Sequence, residues 1–294
     1  MSIQHYPVVS KEITAIFRDT PQQWFIDCTL GMGGHARQLL ESFPDSRVIG
    51  IDMDNESLAQ AKNHLAEFGE RIEFHHLDFK EFFERADIAG KAISGILVDP
   101  GISMVQLKDP QRGFSHSIDA PLDMRKDRNS PISAAEVVNS YTEKMLTDIF
   151  EKYGEVPKAR FLAKRIIETR LFQPFRSTLQ LTAIIEKLYG WKPKRGKTHP
   201  AANVFQALRI VVNKEVEGID DFIRKIPHYL KKGARIVFLT FHSVEDRIVK
   251  NTFIALQKES ILRIIKPFPT FPSESEVAEN LPSRSVKLRA GEIL

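Results

Sequence analysis

The first hundred residues alternate short apolar runs with helical stripes, and few folds accept that rhythm. Residues 24–29 (WFIDCT), 47–51 (RVIGI), 71–76 (RIEFHH) and 92–98 (AISGILV) read as strands. Between them apolar residues recur at helical spacing: Ala36, Leu39 and Leu40, then Leu58, Ala61, Leu65 and Phe68. Strands that are apolar almost throughout must be covered on both faces, which predicts a parallel sheet. From about 104 to 203 the rhythm stops. A long loop at 107–132 gives way to helical stripes such as Leu162-Ile166-Ile167 and Leu181-Ile184-Ile185-Leu188, with no convincing strand. Helices at about 203–217 and 219–230 and a fifth strand at 234–240 (ARIVFLT) resume the earlier pattern, and 285–290 (SVKLRA) supplies a late edge strand. The expectation is a doubly wound α/β domain built from 1–103 and 204–294, interrupted by a helical insert at 104–203.

Charge separates the two parts. The 294-residue chain has a net charge of only +4. Between Pro157 and Lys214, however, thirteen Lys and Arg face only Glu168 and Glu186, a balance of +11 within 58 residues that leaves −7 for the rest. Such asymmetry suits a polyanionic partner; solvated helix faces are the plainer alternative. Cys28 is the single cysteine, which excludes an internal disulfide, a cysteine-ligated cluster and a CxxC zinc site, and suits a reducing, cytoplasmic setting. No run reaches the length of a membrane helix, no signal peptide is expected, and neither His199 nor His242 has a partner at metal-ligand spacing.

The chemistry-bearing residues gather where strands end. Gly31-Met-Gly33-Gly34-His35-Ala36 turns the first strand into a helix, and glycines there let a ligand approach the backbone. Asp52, ending the second strand, is placed to accept both ribose hydroxyls of a nucleoside cofactor. Asp78-Phe79 after the third strand suits an adenine amine and ring, and Asp99 ends the fourth strand at the crevice where reacting groups meet. Glycines plus Asp52 also fit an NAD-dependent oxidoreductase. Asp27 before the glycines, Phe79 and Asp99 make the series look instead like an S-adenosylmethionine-dependent methyltransferase. A helix or turn cap for Asp99 and core packing for Phe79 are their structural alternatives.

Longer blocks sharpen the resemblance. Asp27-Cys-Thr-Leu-Gly-Met-Gly-Gly-His35, Gly50-Ile-Asp52-Met-Asp54, Arg112-Gly-Phe-Ser115, Pro121-Leu-Asp-Met-Arg125, Tyr153-Gly-Glu155, His199-Pro-Ala201, Phe205-Gln-Ala-Leu-Arg-Ile210 and Phe241-His-Ser-Val-Glu-Asp246 occur in order along the chain. Together they resemble the bacterial small-subunit ribosomal RNA methyltransferase H family, also called MraW. The resemblance implies a Rossmann-like class I S-adenosylmethionine-dependent methyltransferase with an inserted helical domain. Its substrate would be the exocyclic N4 of a cytidine in the decoding centre of 16S rRNA, within the small ribosomal subunit. It implies that Gly33, Gly34, His35, Asp52, Phe79, Asp99 and Gln106 contact the cofactor. Arg112, Lys194, Arg195, Lys197, His199 and Arg209 are the candidate RNA contacts. Asp99, with the carbonyls of Pro100-Gly101, is the candidate acceptor for the target amine, and no metal is required. The chain has Pro100-Gly-Ile-Ser-Met104, Val156-Pro157 and Ala202-Asn203 where the family usually has Leu-Gly-Val-Ser-Ser, Glu-Arg and Thr-Arg. A non-catalytic rRNA-binding or ribosome-assembly module is the alternative from another class.

Overall fold

A computed structural model of the chain describes residues 7–21, 23–103, 106–107, 109–193 and 197–294. It divides into two compact units, Met1–Gly101 with Val216–Leu294, and Ile102–Glu215.

The first unit is a seven-stranded sheet. Its strands are β1 (Trp24–Asp27), β2 (Arg47–Asp52), β3 (Ile72–His76), β4 (Ile93–Val98), β5 (Arg235–Thr240), β6 (Leu262–Thr270) and β7 (Lys287–Ile293), in the order β3-β2-β1-β4-β5-β7-β6. β1 to β5 are parallel; β7 runs antiparallel to both β5 and β6. This is a Rossmann-like, doubly wound arrangement. The strand order reverses between β1 and β4, which opens a crevice at their carboxyl ends. The late strand is not an edge as expected: it lies between β5 and β6. β6 itself has no clear sequence signal, because Pro267 and Pro269 interrupt it, and prolines are tolerated only where a strand has a free edge.

Alternation along each strand explains the two-sided cover. Phe25, Val48, Leu97 and Val237 face one layer with Phe17, Leu39, Leu40 and Leu58. Their neighbours Ile26, Ile49, Ile96 and Ile236 face the other, with Phe82, Phe222, Ile223 and Phe253. Burying an apolar side chain fully is worth about 1.5–3 kcal/mol, so a one-residue register slip would be heavily disfavoured.

The second unit packs the helices Ala134–Ser140, Glu143–Gly154, Ala159–Arg170, Thr178–Tyr189 and Pro200–Val212 around Val137, Phe150, Leu162, Ile166, Leu181, Ile185, Val204 and Leu208. The boundary expected at 203 therefore moves. The helix beginning at Pro200 buries Val204, Phe205, Ala207 and Leu208 in this core, so the unit extends to Glu215. The long loop before the helices is ordered by its own polar groups. Arg112 is 3% exposed and donates to the Lys126 carbonyl at 2.9 Å. Asn213 donates to the Met124 carbonyl at 2.7 Å and accepts from the Lys126 N–H at 2.7 Å. A Cβ at Gly113 would lie 2.1 Å from the Pro121 carbonyl oxygen, so only glycine fits there.

Candidate active site

The carboxyl ends of β1, β2 and β4 carry Asp27, Asp52 and Asp99. Parallel register sets Asp27 beside Gly50 of β2 and Leu97 of β4. The loops then tie the ends together. The Asp99 N–H donates to the Thr29 hydroxyl at 2.7 Å, and the Leu30 N–H to the Ile51 carbonyl at 2.8 Å. Asp52 accepts from the Gly31 N–H at 2.7 Å through Oδ2 and from the Asp54 N–H at 2.8 Å through Oδ1. The carboxylate is thus fixed in orientation by two backbone donors.

Gly33 caps the helix Gly34–Ser42 in the left-handed region, with φ 85°. That conformation suits glycine, and the Leu65 side chain stands 2.6 Å from where a Cβ would be. His35 follows in the first turn of the helix and is 7% exposed. Its Nε2 lies 3.3 Å from Asp99 Oδ2. Neither of its ring nitrogens makes a hydrogen bond among the described residues, and Asp27 Oδ2 makes none either. Asp27 is 1% exposed, and its other oxygen accepts from the Thr29 N–H at 3.2 Å. Burial pushes the Asp27 carboxyl up to about 7, opposed by His35 and the Thr29 N–H and reinforced by Asp99 and Asp52. Cys28 next to it is buried, and burial together with the Asp27 and Asp78 carboxylates raises its thiol well above the ordinary range. Such a thiol is a poor nucleophile.

Phe79 is half-buried after β3, with its ring edge-on to Phe222 at 4.8 Å. Asp78 caps that turn by accepting from the Lys80 N–H at 3.0 Å and pairs with Lys80 Nζ at 3.2 Å. After β5, the Phe241-His-Ser-Val-Glu-Asp246 run serves the fold. His242 caps the next helix through Nδ1. Asp246 joins Arg289 at 2.8 Å and Lys287 at 3.0 Å, pinning that helix to β7. Burial opposes ionisation of Asp246, but these two cations hold its carboxyl below the ordinary range.

The remaining expected contacts belong to the second unit. The Gln106 side-chain carbonyl accepts from the Ser103 N–H at 2.9 Å. Lys197 is exposed. Lys194 and Arg195 lie outside the described residues. Arg112, expected at the RNA surface, is instead buried, because its guanidinium holds the long loop to itself. Arg209 pairs with the buried Glu215 at 3.1 Å, which also pairs with Lys126 at 2.9 Å. His199 accepts from the Ala201 N–H at 3.1 Å through Nδ1, so Nε2 is the donor to Glu186 at 3.0 Å. Its ring stacks on His116 at 4.6 Å.

Two residues of the first unit were not among the expected contacts: Asp27, with its unpartnered buried oxygen, and Thr29, which latches β1 to β4. The position of Asp27 directly before the glycine turn was the only sequence signal for either. Among the described residues no group of three or more His, Cys, Asp or Glu could hold a metal ion, and no helix is long and apolar enough to cross a membrane.

Comparison with known proteins decides the family. The model of the MraW methylase family matches residues 2–294. The chain belongs to that family. Ribosomal RNA small subunit methyltransferase H from Cyanothece sp. is 40% identical to this methylase over 291 residues, covering 99% of this chain and 95% of that protein. The enzyme of the same name from Nostoc sp. is 40% identical over 288 residues, covering 98% and 92%. Among solved structures, an S-adenosylmethionine-dependent O-methyltransferase from Thermotoga maritima aligns over 99% of this chain and 68% of its own, at 10% identity and a TM-score of 0.44. Membership of a methylase family sets aside the hydride-transfer alternative.

Proposed function

We propose that this methylase transfers a methyl group from S-adenosylmethionine to the exocyclic N4 of a cytidine in the decoding centre of 16S rRNA, acting on the small ribosomal subunit in the cytoplasm. The names of its relatives supply the substrate class. The observation that carries the cofactor reading is the convergence of Asp27, Asp52 and Asp99 on the crevice where the strand order reverses.

The donor set fits the cofactor. The Asp52 and Asp99 carboxylates suit a ligand with cationic and hydroxyl groups, and Asp27 Oδ2 and His35 Nδ1 are buried polar atoms without hydrogen-bond partners among the described residues. A Cβ at Gly31 would meet nothing closer than 4.0 Å, so a ligand can come up against the backbone there. S-adenosylmethionine, when bound, supplies an electrophilic methyl group. Asp52, oriented by the Gly31 and Asp54 amides, accepts the ribose hydroxyls. Gly33 and Gly34 would let the ligand come close to the backbone, Phe79 would pack against the adenine, and Gln106 would add a further cofactor contact.

Cytosine's amine is a poor nucleophile because its lone pair is shared with the ring. Asp99 and the Pro100 and Gly101 carbonyls accept its N–H bonds and turn the lone pair toward the methyl, so that positioning supplies much of the rate. His35 Nε2 lies 3.3 Å from Asp99 and faces that carboxylate without a hydrogen bond to it. A C5 mechanism would need a cysteine nucleophile, and the buried Cys28 thiol, held protonated, is unsuited to it. Lys194, Arg195 and Lys197 meet RNA phosphates, with His199 holding the start of the helix beside them. The test is mass spectrometry of small-subunit rRNA from cells lacking this protein. Loss of one N4-methylated cytidine in 16S rRNA, restored by the wild-type gene but not by Asp99→Asn, is expected. An unchanged modification profile would overturn the reading.

A further inference from the structure

The helix Ala159–Arg170 buries Ala159, Leu162, Ala163 and Ile166 and turns its other side to solvent. Phe161 on that side is 65% exposed, and Leu171 and Phe172 in the turn that follows are 77% and 91% exposed. Apolar side chains left bare contribute nothing to this core, and an apolar patch rimmed by polar groups marks a contact surface. Phe161 lies within the helix and Phe172 two residues past its end, so both rings stand exposed on the same segment of the surface.

The rim is basic. Residues 158–176 hold six cations against Glu168 alone. Lys158, Arg160, Lys164, Arg165 and Arg176 are all exposed. Arg160 lies 3.7 Å from Glu143 and Arg165 3.2 Å from Glu168, while Lys158, Lys164 and Arg176 have no ion pair among the described residues. Beyond the turn the chain lines an open cavity of about 380 Å³ bordered by Arg125, Asn139 and Arg176. A partner complementary to this face must be anionic and must also present flat apolar surfaces. Unpaired nucleotides carry both on every unit of their chain, whereas a duplex hides its base faces.

We propose that this face is a platform for single-stranded RNA, with Phe161 and Phe172 stacking on unpaired bases and Lys158, Lys164 and Arg176 meeting phosphates between and beyond them. The proposal rests on the rRNA reading above and adds a second recognition surface to the basic loop at 191–200. Stacking tolerates any base, so the platform grips exposed single strands beside the target and leaves the choice of nucleotide to the active site.

The test uses the full chain, an unstructured fluorescent 12-nucleotide RNA and the same sequence as a duplex. The Phe161→Ala/Phe172→Ala protein should bind the single strand about 10- to 100-fold more weakly, with little change for the duplex. Both rings are exposed, so its melting temperature should match the wild type. In a second variant, Phe172→Trp, the added emission should be quenched by the single strand and not by the duplex. Equal single-strand affinity in the double alanine variant would overturn the proposal. So would an equal loss on both RNAs, or a concentration-dependent self-association of the wild type that the variant abolishes. Tritiated methyl transfer to small subunits separates the two levels. If the wild type transfers methyl and the alanine variant binds RNA normally, the platform falls and the function stands. If the wild type neither binds nor methylates rRNA, both fall.

Discussion

Charged residues are treated in opposite ways by the two units. At the carboxyl ends of β1, β2 and β4, carboxylates are buried or half-buried with capacity left over: Asp27 Oδ2 and His35 Nδ1 have no hydrogen-bond partner among the described residues. In the long loop of the second unit, charges cancel within the fold. Asp123 holds Arg125 through two contacts at 2.7 and 2.8 Å, Lys126 and Arg209 share Glu215, and Arg112 holds backbone carbonyls. Leaving a buried polar atom unsatisfied costs about 1–3 kcal/mol, so such atoms persist where a ligand completes them. A satisfied network instead rigidifies the chain. Asp27 and His35 differ in this from Arg112, Arg125 and Arg209, which are held by partners, although Arg289 and Ser283 of the first unit's scaffold also keep a buried atom without a hydrogen bond.

The largest effect that could break this contrast is catalytic. Asp99→Asn keeps the size of the side chain but weakens acceptance from the target amine, so single-turnover methylation should fall about 100-fold or more while RNA affinity stays within a factor of about two. Wild-type turnover at saturating cofactor and RNA would remove Asp99 from the chemistry.

Next comes Arg112→Ala. With its guanidinium buried against carbonyls, the loss should be one of stability, about 2–4 kcal/mol by denaturant unfolding. A variant that unfolds like the wild type but binds RNA more weakly would return Arg112 to the surface role expected of it from the sequence.

A stability effect of similar size, spread over about three pH units, is read in pH. The Asp27 carboxyl titrates near 7 in the folded chain and near 3.8 when unfolded. Between those values the folded state holds the extra proton, so this group makes stability fall as pH rises, by up to about 1.4 kcal/mol per unit, and the fall levels off above 7. Asp27→Asn should remove that component, gaining on the wild type as pH rises from 4 to 7. Parallel stability profiles for the two proteins would show that Asp27 does not carry the proton.

How much of this could be read in the sequence depends on what each feature rests on. β1, β2, β4 and β5 were legible because each is a largely apolar run bounded by turn residues, β3 (IEFHH) because it falls in the same strand–helix alternation, and the convergence of Asp27, Asp52 and Asp99 follows once those strands are parallel. β6 was not legible, since Pro267 and Pro269 contradict strand propensity and are tolerated only by the free edge. The slot of β7 between β5 and β6 is a tertiary choice that no local pattern encodes. The +11 balance was legible as a count, yet a count does not sort cations by burial. Arg170 donates to the Val138 and Tyr141 carbonyls at 2.8 and 2.7 Å, and Arg209 faces Glu215, whereas Lys164 and Lys197 stand in water. The 3.3 Å approach of His35 to Asp99 joins two segments 64 residues apart and has no sequence signature.

The central claim is that the first unit's strand ends bind the cofactor and the basic loop at 191–200 does not. Calorimetric titration of S-adenosylmethionine into the folded wild type, Asp52→Ala and Lys194→Ala/Arg195→Ala/Lys197→Ala proteins tests it most directly. Asp52→Ala should lose about 1.5–3 kcal/mol of binding, as for a charge-assisted hydrogen bond, and the triple variant should match the wild type. Unchanged affinity in a folded Asp52→Ala protein, or an equal loss in the triple variant, would contradict the account.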